Sequence, residues 1–153
     1  MARILIADDD ELIAELASEV LIDAGHAYGW VTSAEAAWTC VRRKRPDVLL
    51  LDQTLPGESG LTLLRRLRQS AQFYDLPVMM FTAMNGDADE AQAIYAGAQD
   101  FIRKPFDPEL LVRRVERMLK LRGNRPRHVD LRTALQIEPA APAPRMAMAR
   151  RVL

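Results

Sequence analysis

Five polar side chains in this 153-residue chain share one kind of position. Each stands just past a short strand-like run. Asp8 and Asp9 follow Ile4-Leu5-Ile6-Ala7, and Asp52 follows Val48-Leu49-Leu50-Leu51. Thr82 follows Val78-Met79-Met80-Phe81, and Lys104 follows Phe101-Ile102-Arg103. Short unbroken apolar runs suit strands buried on both faces, as in a parallel sheet covered by helices. The ends of parallel strands lie on one edge, where open α/β sheets bind their ligands. Three carboxylates, one hydroxyl and one ammonium are therefore expected to converge, although they are far apart in sequence.

Three carboxylates in one place repel and resist joint ionisation. A divalent cation relieves the repulsion. Oxygen-only donors, with neither His nor Cys among them, point to magnesium, with manganese able to substitute. Asp52 is then the carboxylate left to attack a phosphorus atom as a nucleophile. The cation and Lys104 would neutralise the phosphoryl oxygens, and the Thr82 hydroxyl would donate a hydrogen bond to one of them.

The elements that must position these groups are legible in the spacing. Strands are expected over 3–7, 26–31, 47–51, 77–81 and 100–103. Leu12, Ile13, Leu16, Val20 and Leu21 recur at helical spacing, with Glu11, Glu15 and Glu19 on another face. Asp10 suits the cap of that helix and Gly25 its end. Thr32-Ser33-Ala34-Glu35 has the form of a capping box, with Thr32 as the cap and Glu35 reaching back. The helix it opens ends in the basic run 42–45, read as a solvated helix end, and Pro46 stops it. Leu61, Leu63, Leu64 and Leu67 mark a third helix, 87–96 a fourth, and 108–121 a fifth that opens with Pro108. Five strands alternating with five helices imply a doubly wound α/β sheet, for which the strand order known for flavodoxin-like folds, 2-1-3-4-5, is the natural expectation.

Composition narrows the classes. Half the residues are apolar (49%), and no apolar run is long enough to span a membrane. The N-terminus turns acidic at Asp8, too soon for a secretory signal. Cys40 is the single cysteine. A disulfide framework within one chain is thereby excluded, and a cytoplasmic home is expected. The net charge of zero hides an asymmetry. From Arg122 onward, seven arginines and two acidic residues give +5, so residues 1–121 carry −5. An acidic globular unit with a basic tail is a poor outline for direct nucleic-acid binding.

The ordered set of motifs resembles the receiver domain of two-component response regulators. The matching residues are Ile4-Leu5-Ile6-Ala7-Asp8-Asp9, Leu51-Asp52, Leu55-Pro56-Gly57 with Gly60, Phe81-Thr82-Ala83, Ala96-Gly97-Ala98 and Lys104-Pro105-Phe106. The resemblance covers about 2–121, leaving 122–153 as a basic, Pro/Ala-rich tail or linker. The resemblance implies that Asp52 is the phosphoacceptor and that Asp8 and Asp9 hold magnesium, Asp9 more directly. It implies that Thr54 lends a backbone carbonyl to the metal, that Thr82 is the switch hydroxyl, and that Phe101 is the aromatic switch. A cis Lys104–Pro105 bond is also implied. Met84, two residues past Thr82, offers no hydrogen bond to an attacking water, and slow self-dephosphorylation is expected from it.

The implied partners are a sensor histidine kinase or histidine phosphotransfer protein. A downstream protein, or a second copy, would use the face of the fourth helix, fifth strand and fifth helix. That face carries Glu90, Asp100, Glu109, Arg113 and Arg114. Leu110 stands where symmetric receiver dimers have an acid. Such a protein is a phosphoacceptor signalling domain that promotes only its own phosphorylation and dephosphorylation, so it is not an enzyme in the ordinary sense. The alternatives are the receiver portion of a DNA-binding transcription regulator whose output domain is absent, and a magnesium-dependent phosphohydrolase. The phosphohydrolase ranks last, because Thr54 stands where a second acid would protonate the leaving group. His26 and His128 are expected to be idle, Trp30 and Trp38 to be packing groups, and Cys40 to be an inert core thiol. In the tail, 129–138 alternates as a strand would, and 146–153 mixes basic and apolar residues.

Overall fold

The structure, a computed structural model, describes residues 1–82 and 87–123. Met84, His128 and the tail readings over 124–153 lie outside the described residues, as does the side chain of Glu90. Residues Met1–Arg122 form one compact unit. Its elements are β1 (Arg3–Ala7), α1 (Glu11–Asp23), β2 (Ala27–Val31), α2 (Ala34–Arg43), β3 (Val48–Asp52), α3 (Gly60–Gln69), β4 (Val78–Thr82), α4 (Asp87–Tyr95), β5 (Asp100–Arg103) and α5 (Pro108–Gly123). The strands are all parallel, in the order β2-β1-β3-β4-β5. This is the flavodoxin-like doubly wound sheet expected from the sequence.

β3 explains the architecture. All five of its residues are buried. Leu49 and Leu51 pack with Ala37 and Val41 of α2 and Leu63, Leu64 and Leu67 of α3. Val48 and Leu50 pack on the opposite face with Ala17 and Leu21 of α1 and Leu111 and Val115 of α5. A strand covered on both sides needs no polar face, hence the unbroken apolar run. Each fully buried Leu contributes about 1.5–3 kcal/mol relative to exposure.

The structure corrects several sequence expectations. β3 and β4 each end one residue later, so Asp52 and Thr82 close their strands rather than follow them. The backbone ladder continues through the pairs Asp52–Phe81 and Thr82–Arg103 regardless of side-chain polarity. The cap of α2 is Ser33, not Thr32: its extended backbone lets the hydroxyl accept from the Ala36 N–H at 3.1 Å. Glu35 therefore sits in the first helical turn, where its charge suits the helix dipole. Arg45 is not merely solvated, since it donates to the Gln72 carbonyl at 2.8 Å and pairs with Asp75 at 3.1 Å. His26, for which no chemical role is expected, makes structural contacts. Its Nδ1 accepts from the Ala2 N–H at 3.3 Å, and its Nε2 lies 3.5 Å from Glu116.

Candidate functional site

The strand register delivers the five groups to one rim. Ala7 pairs with Leu51, so Asp8 and Asp52 come next on adjacent strands. Thr82 pairs with Arg103, and Lys104 comes next. The Lys104 N–H donates to the Thr82 carbonyl at 2.7 Å, extending the ladder past the end of β5. The Lys104–Pro105 bond is cis. Phe106 then anchors the turn in the core, its ring 5.3 Å from that of Phe81.

Asp8, Asp52 and Thr82 are buried, whereas Asp9 is exposed. Carboxylate oxygens of Asp8, Asp9 and Asp52 lie within 4.8 Å of one another. The Lys104 ammonium stands between two of the acids, with Nζ 2.8 Å from Asp8 Oδ2 and 3.3 Å from Asp52 Oδ2. The Thr54 N–H donates to Asp52 Oδ1 at 3.3 Å, and the Asp10 N–H to Asp8 Oδ1 at 2.8 Å. Asp10 itself caps α1, accepting from the N–H groups of Leu12 and Ile13.

Burial pushes the Asp52 carboxyl up from 3.8 to about 6, and the neighbouring Asp8 charge adds to this. Lys104 and the Thr54 N–H pull the other way without prevailing. For Lys104, burial alone would favour loss of the proton. Its contacts with Asp8 and Asp52 outweigh that and hold the ammonium above the ordinary lysine range. The site thus has more negative charge than one ammonium satisfies. Asp8 Oδ2 is buried and meets the Lys104 ammonium at 2.8 Å, and a carboxylate oxygen with one such partner keeps a lone pair for another. A hard divalent cation with oxygen ligands fits this donor set.

Gly60 is required at the mouth of α3. A Cβ there would collide with the Asp52 carbonyl oxygen. The Gly60 N–H also donates to the Gln53 carbonyl at 3.0 Å, which ties the start of α3 to the end of β3. Gly57, at φ 78, turns the chain between them. Thr54 is exposed and Phe101 half-buried, packed against the α2–α3 side of the core. A groove of about 580 Å³ between β2 and α2, lined by Arg3, Tyr28, Gly29 and Cys40 among others, contains none of the five groups. The site lies at the rim of the sheet, away from this groove.

Sequence reasoning passed over one contact at this rim. Trp30, read as packing, donates its indole N–H to the Asp8 carbonyl at 2.7 Å. A tryptophan next to the end of the strand beside the acid-bearing one was the available signal, but strand order had to be known before it could be used.

Residues 4–116 match the response regulator receiver domain. The chain is 37% identical over 120 residues to the phosphate regulon transcriptional regulatory protein PhoB of Pseudomonas aeruginosa, a match covering 78% of this chain and 52% of that protein. It is 38% identical over 124 residues to the DNA-binding response regulator MtrA of Mycobacterium tuberculosis, covering 81% of this chain and 53% of that protein. The crystal structure of chemotaxis protein CheY4 of Vibrio cholerae superposes with a TM-score of 0.72 at 27% identity, covering 77% of this chain and 98% of that one. The chain spans about half the length of the curated relatives it matches.

Proposed function

This chain belongs to the response regulator receiver domain family, and on that premise we propose that Asp52 accepts a phosphoryl group from a histidine kinase or histidine phosphotransfer protein. A carboxylate oxygen of Asp52 attacks phosphorus, the P–N bond to the donor imidazole breaks, and the imidazole leaves with a proton. The product is an acyl phosphate on Asp52. Lys104 then holds the phosphoryl oxygens by charge, as it now holds Asp8 and Asp52, and the Thr82 hydroxyl donates to one of them. Asp8, Asp9, Asp52 and the Thr54 carbonyl are the groups that would hold magnesium, or manganese in its place. When bound, the ion supplies charge neutralisation of the transferring group.

The observation that carries this reading is the Lys104 ammonium shared between Asp8 and Asp52 at 2.8 and 3.3 Å, beside a third carboxylate. The signal passes by way of Thr82 and Phe101 to the face of α4, β5 and α5. There Arg114 donates to the Phe101 carbonyl and pairs with Asp100 at 3.2 Å, and Tyr95 stands 93% exposed. A partner protein or a second copy docks on this face. The domain works in the cytoplasm, a setting compatible with the absence, among the described residues, of any helix long and apolar enough to cross a membrane. It divides into a receiver over 1–121 and a basic tail over 122–153.

The test is incubation with magnesium and acetyl phosphate, followed by intact-mass measurement. One added phosphoryl group, absent in Asp52→Asn, is the expected result. An unmodified wild-type protein would overturn the reading. Similarity to PhoB, a transcriptional regulatory protein, and to MtrA, a DNA-binding response regulator, favours a second, compatible reading, in which the chain is the receiver portion of a DNA-binding regulator. A sequence-specific DNA complex formed by this chain alone would instead make it the DNA-binding unit.

A further inference from the structure

Trp30 occupies a position whose packing does not account for its size. It lies on the edge strand β2, in register with Ile6, and its side chain is 41% exposed. Its indole N–H nevertheless crosses to β1 and donates to the carbonyl oxygen of Asp8 at 2.7 Å. That oxygen lies just beyond the pairing of β1 with β2. Asp8 is held from its other atoms as well. Its N–H donates to the Val31 carbonyl at 3.0 Å, and its Oδ1 accepts from the Asp10 N–H at 2.8 Å. Backbone nitrogen, backbone oxygen and one carboxylate oxygen are thus each fixed by a separate partner. Oδ2 alone faces Lys104 and the site.

We propose that Trp30 is a positioning residue for the acidic loop: it holds the Asp8 main chain against β2 and so aims the carboxylates of Asp8 and Asp9 at Asp52. The proposal rests on reading Asp8 and Asp9 as cation ligands. It acts one step further out than a partner of the ligating carboxylate, through the main chain that carries it; loss of outer partners of metal ligands weakens metal affinity by about 10–100-fold. A hydrophobic packing role makes a different demand. It would be met by any large ring at position 30, whereas positioning needs the N–H.

The test compares Trp30→Phe, which keeps a ring and removes the donor, with wild type and Asp9→Asn. Magnesium affinity is measured by calorimetry and thermal unfolding is followed in chelator. Trp30→Phe is expected to bind magnesium at least about tenfold more weakly and to be phosphorylated fully by acetyl phosphate once magnesium is saturating. A lowered melting temperature with wild-type magnesium affinity would overturn the proposal, because it is the result of packing alone. Trp38→Phe leaves Trp30 as the single tryptophan of the chain. In that variant the Trp30 emission is expected to change with magnesium along the calorimetric isotherm, and an emission that ignores magnesium would also overturn the proposal. If Asp9→Asn binds magnesium as wild type does, the cation-ligand reading itself fails. If Asp9→Asn loses affinity while Trp30→Phe does not, only the role of Trp30 fails.

Discussion

Asp52→Asn is expected to stabilise the metal-free protein, and to do so only above a defined pH. In the native state the Asp52 carboxyl titrates at about 6, raised by burial and by the Asp8 charge, whereas the unfolded chain releases this proton near 3.8. Between these values the native protein holds a proton that the unfolded protein has lost. Stability must therefore fall as pH rises through this window, and the whole penalty is present above pH 6. A shift of about two units corresponds to at most about 3 kcal/mol. Water at the rim screens part of this, so about 1–2 kcal/mol is the expected size. Asparagine keeps the shape and carries no charge. The assay is urea unfolding of both proteins in chelator, at about pH 4 and about pH 7.5. The stability difference attributable to ionisation should be small at the lower pH, where only its onset is reached, and favour the variant at the higher. Magnesium should reverse the order by stabilising the wild type, by about 2.7 kcal/mol at a hundredfold excess over its Kd. Parallel pH profiles for the two proteins would refute the argument, because they would mean that the native site does not oppose Asp52 ionisation.

Gly60→Ala drives a methyl group into the Asp52 carbonyl. It is expected to cost about 1–3 kcal/mol by thermal unfolding and to weaken magnesium binding by displacing the end of β3. Lys104→Met removes the cation that now lowers the Asp52 pKa. The Asp52 carboxyl should then titrate above 6, observable by carboxyl NMR, and phosphorylation by acetyl phosphate should slow. Leu50→Ala, at a site with no solvent exposure, is expected to cost about 2–5 kcal/mol in urea unfolding. Ser33→Ala should cost about 1 kcal/mol, and Thr32→Ala less, since Ser33 makes the capping bond.

Much of the fold was legible because strands buried on both faces leave an unmistakable apolar trace, as in Val48-Leu49-Leu50-Leu51. The candidate site was legible for a related reason: a polar residue that breaks such a run marks the strand end, and parallel strands end together. What escaped the sequence depended on backbone angles or distant partners. Thr32 and Ser33 are both competent caps, and only the start of α2 at Ala34 chose between them. Arg45 resembled a solvated helix end because Asp75, its partner, lies 30 residues away. Trp30 suited a strand equally well with or without a bond to Asp8. β3 and β4 were placed correctly although their end residues were not, since ladder pairing ignores that Asp52 and Thr82 are polar.

The alternation along β3 makes that strand a partition wall. Leu49 and Leu51 belong to one apolar compartment, Val48 and Leu50 to the other. Among the described residues, the buried apolar side chains of α2 and α3 and those of α1 and α5 fall in separate clusters, so the effects of substitutions in the two on stability should add. Each compartment is thus free to drift in sequence without retuning the other. The exception is the top of the wall, where Asp52 closes the strand and both compartments end.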